Sequence, residues 1–158
     1  MSRLRASDFH FFTHRGVDGS KNPQFAALCY RVSKGKTQVL LITSRDTGRW
    51  VIPKGWPISG KKPHEAAAQE AWEEAGVTGK VKPKVLGIYS YSKHMGKGTN
   101  KPMVVAVFAL KVKKMDDDFP EAGQRRRKWV SPKKAAARVK EPELAKILRN
   151  FRPSKLKR

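Results

Sequence analysis

Three glutamates, Glu70, Glu73 and Glu74, stand at i, i+3 and i+4, a spacing that gathers three side chains on one face of a helix. The chain has 13 acidic residues against 35 lysines and arginines, and four of the acids fall within 65–74. Like charges held that close cost free energy unless a cation lies between them. Hard divalent ions take oxygen ligands, and Mg2+ is held by a few carboxylates together with substrate phosphates. A solvated helix face would place a lysine or arginine three or four residues from each glutamate, yet 64–77 contains neither. The segment reads as a platform for Mg2+, or for Mn2+ in its place.

The platform needs a helix and something to hold it. Pro63 at the first turn and Gly76 as the stop predict a helix over 63–75. Its alanines (Ala66, Ala67, Ala68, Ala71) allow close approach to whatever lies beneath. Ahead of it, Pro53, Gly55, Pro57, Gly60 and Pro63 punctuate a loop. Further upstream, apolar runs at 25–32 and 38–43 flank a glycine-containing loop at 33–37 and predict a hairpin, and a short run at 50–52 is stopped by Pro53. Downstream, 81–91, 103–112 and 128–130 read as strands, with closing helices at 132–139 and 141–150, each begun by a proline. Mixed strands with one central helix and C-terminal helices predict an α+β fold, an α/β/α sandwich around a mixed sheet. The expected organisation is an N-terminal arm over 1–24 with an aromatic patch (Phe9, Phe11, Phe12), a single domain over 25–151, and a basic tail over 152–158.

At 158 residues and 17.8 kDa the chain suffices for one core without disulfide staples. Its lone Cys29 sits in an apolar run and reads as a buried, inert thiol. No stretch approaches the roughly 18 apolar residues of a membrane span, and the N-terminus lacks the apolar core of a signal peptide; a cytoplasmic protein without membrane contact is expected, as a monomer or homodimer. A formal charge of +22 attracts polyanions. The tail supplies only Arg152, Lys155, Lys157 and Arg158, so most of the excess covers the folded body. The partner this implies is a polyanionic small molecule, with RNA as a further candidate. Lys93 to Gly98 reads as a hairpin tip around His94, Tyr89 and Tyr91 as core or rim packing, and Asp116-Asp117-Asp118 as a solvated turn.

Residues 55–77 (GWPISGKKPHEAAAQEAWEEAGV) resemble the Nudix box, G-x5-E-x7-R-E-U-x-E-E-x-G-U with U aliphatic. Gly55, Glu70, Glu73, Glu74, Gly76 and Val77 fill their places at the family spacing, with Ala71 at the first U position. Two positions depart: Lys61 stands where the family has its first glutamate, and Gln69 where it has arginine. Residues 26–31, 39–45, 50–55 and 124–130 are similar to corresponding stretches of the diphosphoinositol polyphosphate phosphohydrolases, and diadenosine polyphosphate hydrolases share the Pro-Lys-Gly lead-in. The resemblance implies a Mg2+-dependent pyrophosphohydrolase that cuts a phosphoanhydride bond in a highly phosphorylated substrate, an inositol pyrophosphate or a dinucleoside polyphosphate. It implies metal ligation by Glu70, Glu73, Glu74 and the backbone at Gly55. It also implies a catalytic role for the three glutamates with Glu70 as general base, Glu121 being the other candidate. Arg31 and Arg45, ending two neighbouring strands, correspond to phosphate-holding positions, and Lys54, Lys93, Arg125 and Arg127 extend that basic lining. Two alternatives stay open: an RNA 5′-pyrophosphohydrolase, suited by the basic surface, and a non-catalytic polyphosphate- or nucleic-acid-binding module, which Lys61 and Gln69 permit.

Overall fold

The computed structural model describes residues 22–96 and 98–156. Strands β1 (Asn22–Ser33), β2 (Lys36–Thr43), β3 (Trp50–Val51) and β4 (Lys54–Gly55) precede helix α1 (Pro63–Ala75). Strands β5 (Val77–His94), β6 (Asn100–Met115) and β7 (Arg127–Val130) follow, then helices α2 (Pro132–Arg138) and α3 (Pro142–Arg149). The sheet runs β3-β2-β1-β6-β5, with β4 pairing β1 and β7 pairing β2. Every pairing is antiparallel except β1 with β6.

Strand alternation divides the core into two layers. Phe25, Ala27, Cys29, Leu40, Ile42, Phe108 and Leu110 pack against Ala66, Ala67, Ala71 and Ala75 of α1. Their neighbours Ala26, Leu28, Tyr30, Leu41, Val105 and Val107 pack against Leu144, Leu148 and Phe151 on the other face. The α/β/α sandwich expected from the sequence is thus the observed architecture. Cys29 is buried, and desolvation pushes its thiol up to about 12.

Several bounds move. The first hairpin closes on only Lys34 and Gly35, both at positive φ (52° and 76°), the tight turn whose twist matches its strands. β5 begins directly after Gly76 and runs 18 residues, far beyond the expected 81–91, because irregularities at Thr78/Gly79, Val81/Val85 and Val85/Gly87 interrupt its periodicity. The expected arm lies outside the described residues up to residue 21, including its aromatic patch; 22–24 already belong to β1. Of the expected tail, 153–155 form a short helical turn, Leu156 packs on the second core layer, and 157–158 lie outside the described residues. No helix among the described residues is long and apolar enough to cross a membrane.

Candidate active site

Helix α1 starts where Glu65 accepts a hydrogen bond from the Lys62 amide at 2.8 Å and stops at Gly76, whose φ of 70° is left-handed. A side chain there would also run into the Asp116 carbonyl and the Phe119 ring, so glycine is required twice over. With its alanine face on the sheet, α1 turns the three glutamates toward β4 and the loop before β7.

Gly55 is in contact with Glu70. A β-carbon on Gly55 would overlap the Glu70 carboxyl group, so the missing side chain is what lets β4 and α1 close. Burial first, then the charges of Glu74 and Glu73 and a hydrogen bond with Glu74, push the Glu70 carboxyl up to about 8. Glu74 is buried, and burial raises its pKa too, against the opposing pull of Arg125 and Lys54. Its carboxylate accepts the Lys54 amide at 3.3 Å and lies 3.6 Å from the Arg125 guanidinium. Glu73 contributes from its backbone, accepting the Glu121 amide at 3.0 Å.

Among the described residues no three acidic, histidine or cysteine side chains already stand in a metal-binding arrangement. The reason is visible: Glu74 is turned to Lys54 and Arg125, and Glu70 shares a hydrogen bond with it. The donor set nevertheless suits a divalent cation. A half-buried carboxyl raised toward its protonated form beside a buried one is the arrangement a hard cation relieves by replacing a proton.

The remaining expected residues divide. Arg125 is at the site, nearly buried, donating to Glu121 at 3.0 Å and to the Thr43 carbonyl at 3.1 Å. Arg45 reaches the same group, 3.8 Å from Glu121 and bonded to Gln124. Lys54 leaves the sheet on the face opposite α1, its ammonium 5.0 Å from the Tyr91 ring centre; burial lowers its pKa, while Glu74 opposes that shift. Lys93 lies over the exposed Trp56, 5.1 Å from the ring centre.

Two of the expected residues stand apart from this group. Arg31 does not join this group. β1 and β2 are antiparallel, so their C-terminal ends point opposite ways. Gly55 pairs with Phe25 at one end of β1, whereas Arg31 pairs with Gln38 six residues on, about 20 Å away; it is bonded to Gln38 and stacked over Trp129. Arg127 instead closes the end of α1, donating to the carbonyls of Ala75 and Asp116 and to Asp117 at 2.7 Å. Asp117 keeps the solvated position expected of it, its side chain 97% exposed.

Lys61 and Gln69, the two departures from the box, share a groove of about 590 Å³ with Trp72, Val81 and Lys114, on a different side of α1 from Glu70 and Glu74. Sequence reasoning missed three polar groups on the face of Lys54. Buried Gln24 accepts the Tyr91 hydroxyl at 2.6 Å, and Arg49 is paired with buried Glu141 at 2.7 Å. Only the proline after Glu141, which marks a helix start, hinted at any of them.

The pattern of the NUDIX domain family matches residues 22–151. Mouse diphosphoinositol polyphosphate phosphohydrolase 3-alpha is 31% identical over 106 residues, 66% of this chain and 60% of that protein. The mitochondrial Nudix hydrolase 12 of Arabidopsis thaliana is 30% identical over 119 residues, 73% of this chain and 59% of that protein. The chain thus spans about 60% of the length of these curated relatives. The crystal structure of C. elegans Ap4A hydrolase superposes with a TM-score of 0.58 at 22% identity, covering 82% of this chain and 94% of that one.

Proposed function

This chain belongs to the Nudix family, and from that premise we propose that it is a Mg2+-dependent pyrophosphohydrolase cleaving a phosphoanhydride bond in a highly phosphorylated small molecule. An inositol pyrophosphate ranks first, because proteins named for that substrate share the chain's core at 31% identity; a dinucleoside polyphosphate is the second candidate. The observation that carries the reading is the Glu70–Glu74 pair closed against side-chain-free Gly55, with Arg125 on Glu74 and Arg45 beside Glu121.

Glu70, Glu73, Glu74 and the Gly55 carbonyl would hold the cation, which supplies charge neutralisation and a more acidic water when bound. Arg125 fixes Glu74 and Glu121 in place. Lys54, Arg45 and Lys93 give the phosphates positive partners, the arginine by a planar fork and the lysines as point charges. Glu70 is the proposed general base, and it can accept a proton from water only in its ionised form, which its raised pKa of about 8 makes the minor one at neutral pH without a cation. Phosphoryl transfer needs little beyond such positioning and charge stabilisation.

The test is phosphate release and product identification over inositol pyrophosphates and dinucleoside polyphosphates, with Mg2+ and with chelator. Glu73→Gln and Glu74→Gln each should lower turnover by about a hundredfold or more, as removal of a group acting on the transition state does. Turnover untouched by both substitutions overturns the assigned site. Binding that persists in chelator with no hydrolysis of any substrate would make the protein a non-catalytic module.

A further inference from the structure

The end of the β5–β6 ladder near Val77 and Met115 collects lysines in a way a sheet ordinarily avoids. Lys80 stands directly opposite Lys111 across the ladder, and both are exposed. Two bulges flank that pair. Lys113 is the surplus residue between the Gly79–Val112 and Thr78–Lys114 pairings, and Lys82 and Lys84 lie in the surplus between Val81–Leu110 and Val85–Phe108. Bulges turn side chains out of the ladder.

Val81 and Leu110 turn to the α1 layer, so Lys80 and Lys111 turn to the opposite face. Helix α3 covers only part of that face. Glu143 accepts the Ser90 amide, Ile147 lies over Gly87, and Phe151 ends against Tyr30, which pairs with Lys111. The lysines begin where that cover stops, and Arg149 and Arg152 at the end of α3 are exposed.

Lysines on an edge strand discourage pairing with other chains, which accounts for β5. It does not account for Lys111, which is paired with Lys80 of β5 on one side and Tyr30 of β1 on the other. Like charges directly opposite each other are destabilising. Among the described residues no carboxylate pairs with Lys80, Lys84, Lys111 or Lys113.

We propose that this basic ribbon binds the phosphate backbone of a nucleic acid, on a docking surface separate from the carboxylate site. A row of phosphates supplies the charge that the ribbon lacks. Of the large apolar side chains exposed among the described residues, Val32, Trp56 and Met95, only Val32 lies at this end of the sheet, so the surface has almost nothing to insert into lipid. The ribbon stands on its own geometry and does not depend on the hydrolase reading.

The experiment titrates the full chain against a labelled single-stranded RNA, DNA of the same sequence, and phosphatidylserine vesicles, over a salt series. The Lys80→Glu/Lys111→Glu/Lys113→Glu variant should bind both nucleic acids about tenfold or more weakly, with a salt slope smaller by about 2. A Lys133→Glu/Lys134→Glu/Lys140→Glu variant carries the same charge change on and beside α2 and should retain most of the affinity. The ribbon variant should keep the parent melting temperature and its turnover of small substrates. Equal losses in the two variants would reduce the effect to net charge and overturn the proposal. So would failure of the parent to bind either nucleic acid, tighter binding to vesicles than to RNA, or loss of small-substrate turnover in the folded ribbon variant.

Discussion

Glu70 concentrates the electrostatic problem of this molecule in one side chain. Its carboxyl titrates near 8 in the folded protein, against 4.5 ordinarily, because it is buried beside Glu74 and Glu73. Between those values the folded chain keeps a proton that the unfolded chain has released, so stability without metal falls as pH rises from about 4.5 to about 8. Thermal melts in chelator should show that decline, and Glu70→Gln should flatten it; a profile that is already flat in the parent refutes the assignment. Because a cation must displace the proton, Mg2+ should bind more tightly as pH rises through the same window and restore the lost stability by mass action. Gly55→Ala should forfeit about 1–3 kcal/mol, the usual cost of forced overpacking, together with Mg2+ affinity; melting and calorimetric titration check both. The three glutamates were legible at this scale because helical spacing and the missing basic partners are properties of the sequence. Arg31 was misplaced because its distance from Arg45 depends on strand direction, which residue types do not state.

Arg127 shows what an element requires beyond its own residues. α1 ends with no basic residue in its last turn, and Arg127 arrives from β7 to bind the Ala75 carbonyl and the Asp116–Asp117 turn. Arg127→Ala should lower stability by about 1–3 kcal/mol by orphaning those acceptors, while KM for small phosphorylated substrates changes little. Arg125→Ala, two residues away, should instead raise KM and alter Mg2+ affinity, since it holds Glu74 and Glu121. Denaturant melts and steady-state kinetics on the pair separate support from function. The helix itself was readable from Pro63 and Gly76. The two-residue β4 was not, because so short a strand has no period, and β5 was under-read because its bulges break the alternation that marks a strand.

For the whole molecule, the pairing hardest to foresee is β1 beside β6, parallel partners some eighty positions apart. Nothing local encodes it; it follows from burying two apolar faces at once. The Arg49–Glu141 pair ties the loop before β3 to the start of α3, across 92 positions of sequence. Removing one partner of a buried pair strands the other, so Glu141→Ala should cost about 3 kcal/mol, the low end for such losses because Arg49 keeps 30% of its side-chain surface exposed. A melting curve indistinguishable from the parent would show that the pair does not tie these elements together.

Helix α1 passes into β5 through the single residue Gly76, whose amide and carbonyl are both taken, by Trp72 and Asp116. The carboxylate ledge is therefore geared to the longest strand of the sheet and has no slack with which to follow a changing ligand. Adaptation to a new leaving group must come from the segments 44–48, 56–62 and 95–96, which can be rewritten without touching Gly55, the Lys54 amide or the carboxylates they hold. A graft of those three segments from a relative with another preference should carry that preference across while leaving the cation dependence as it was.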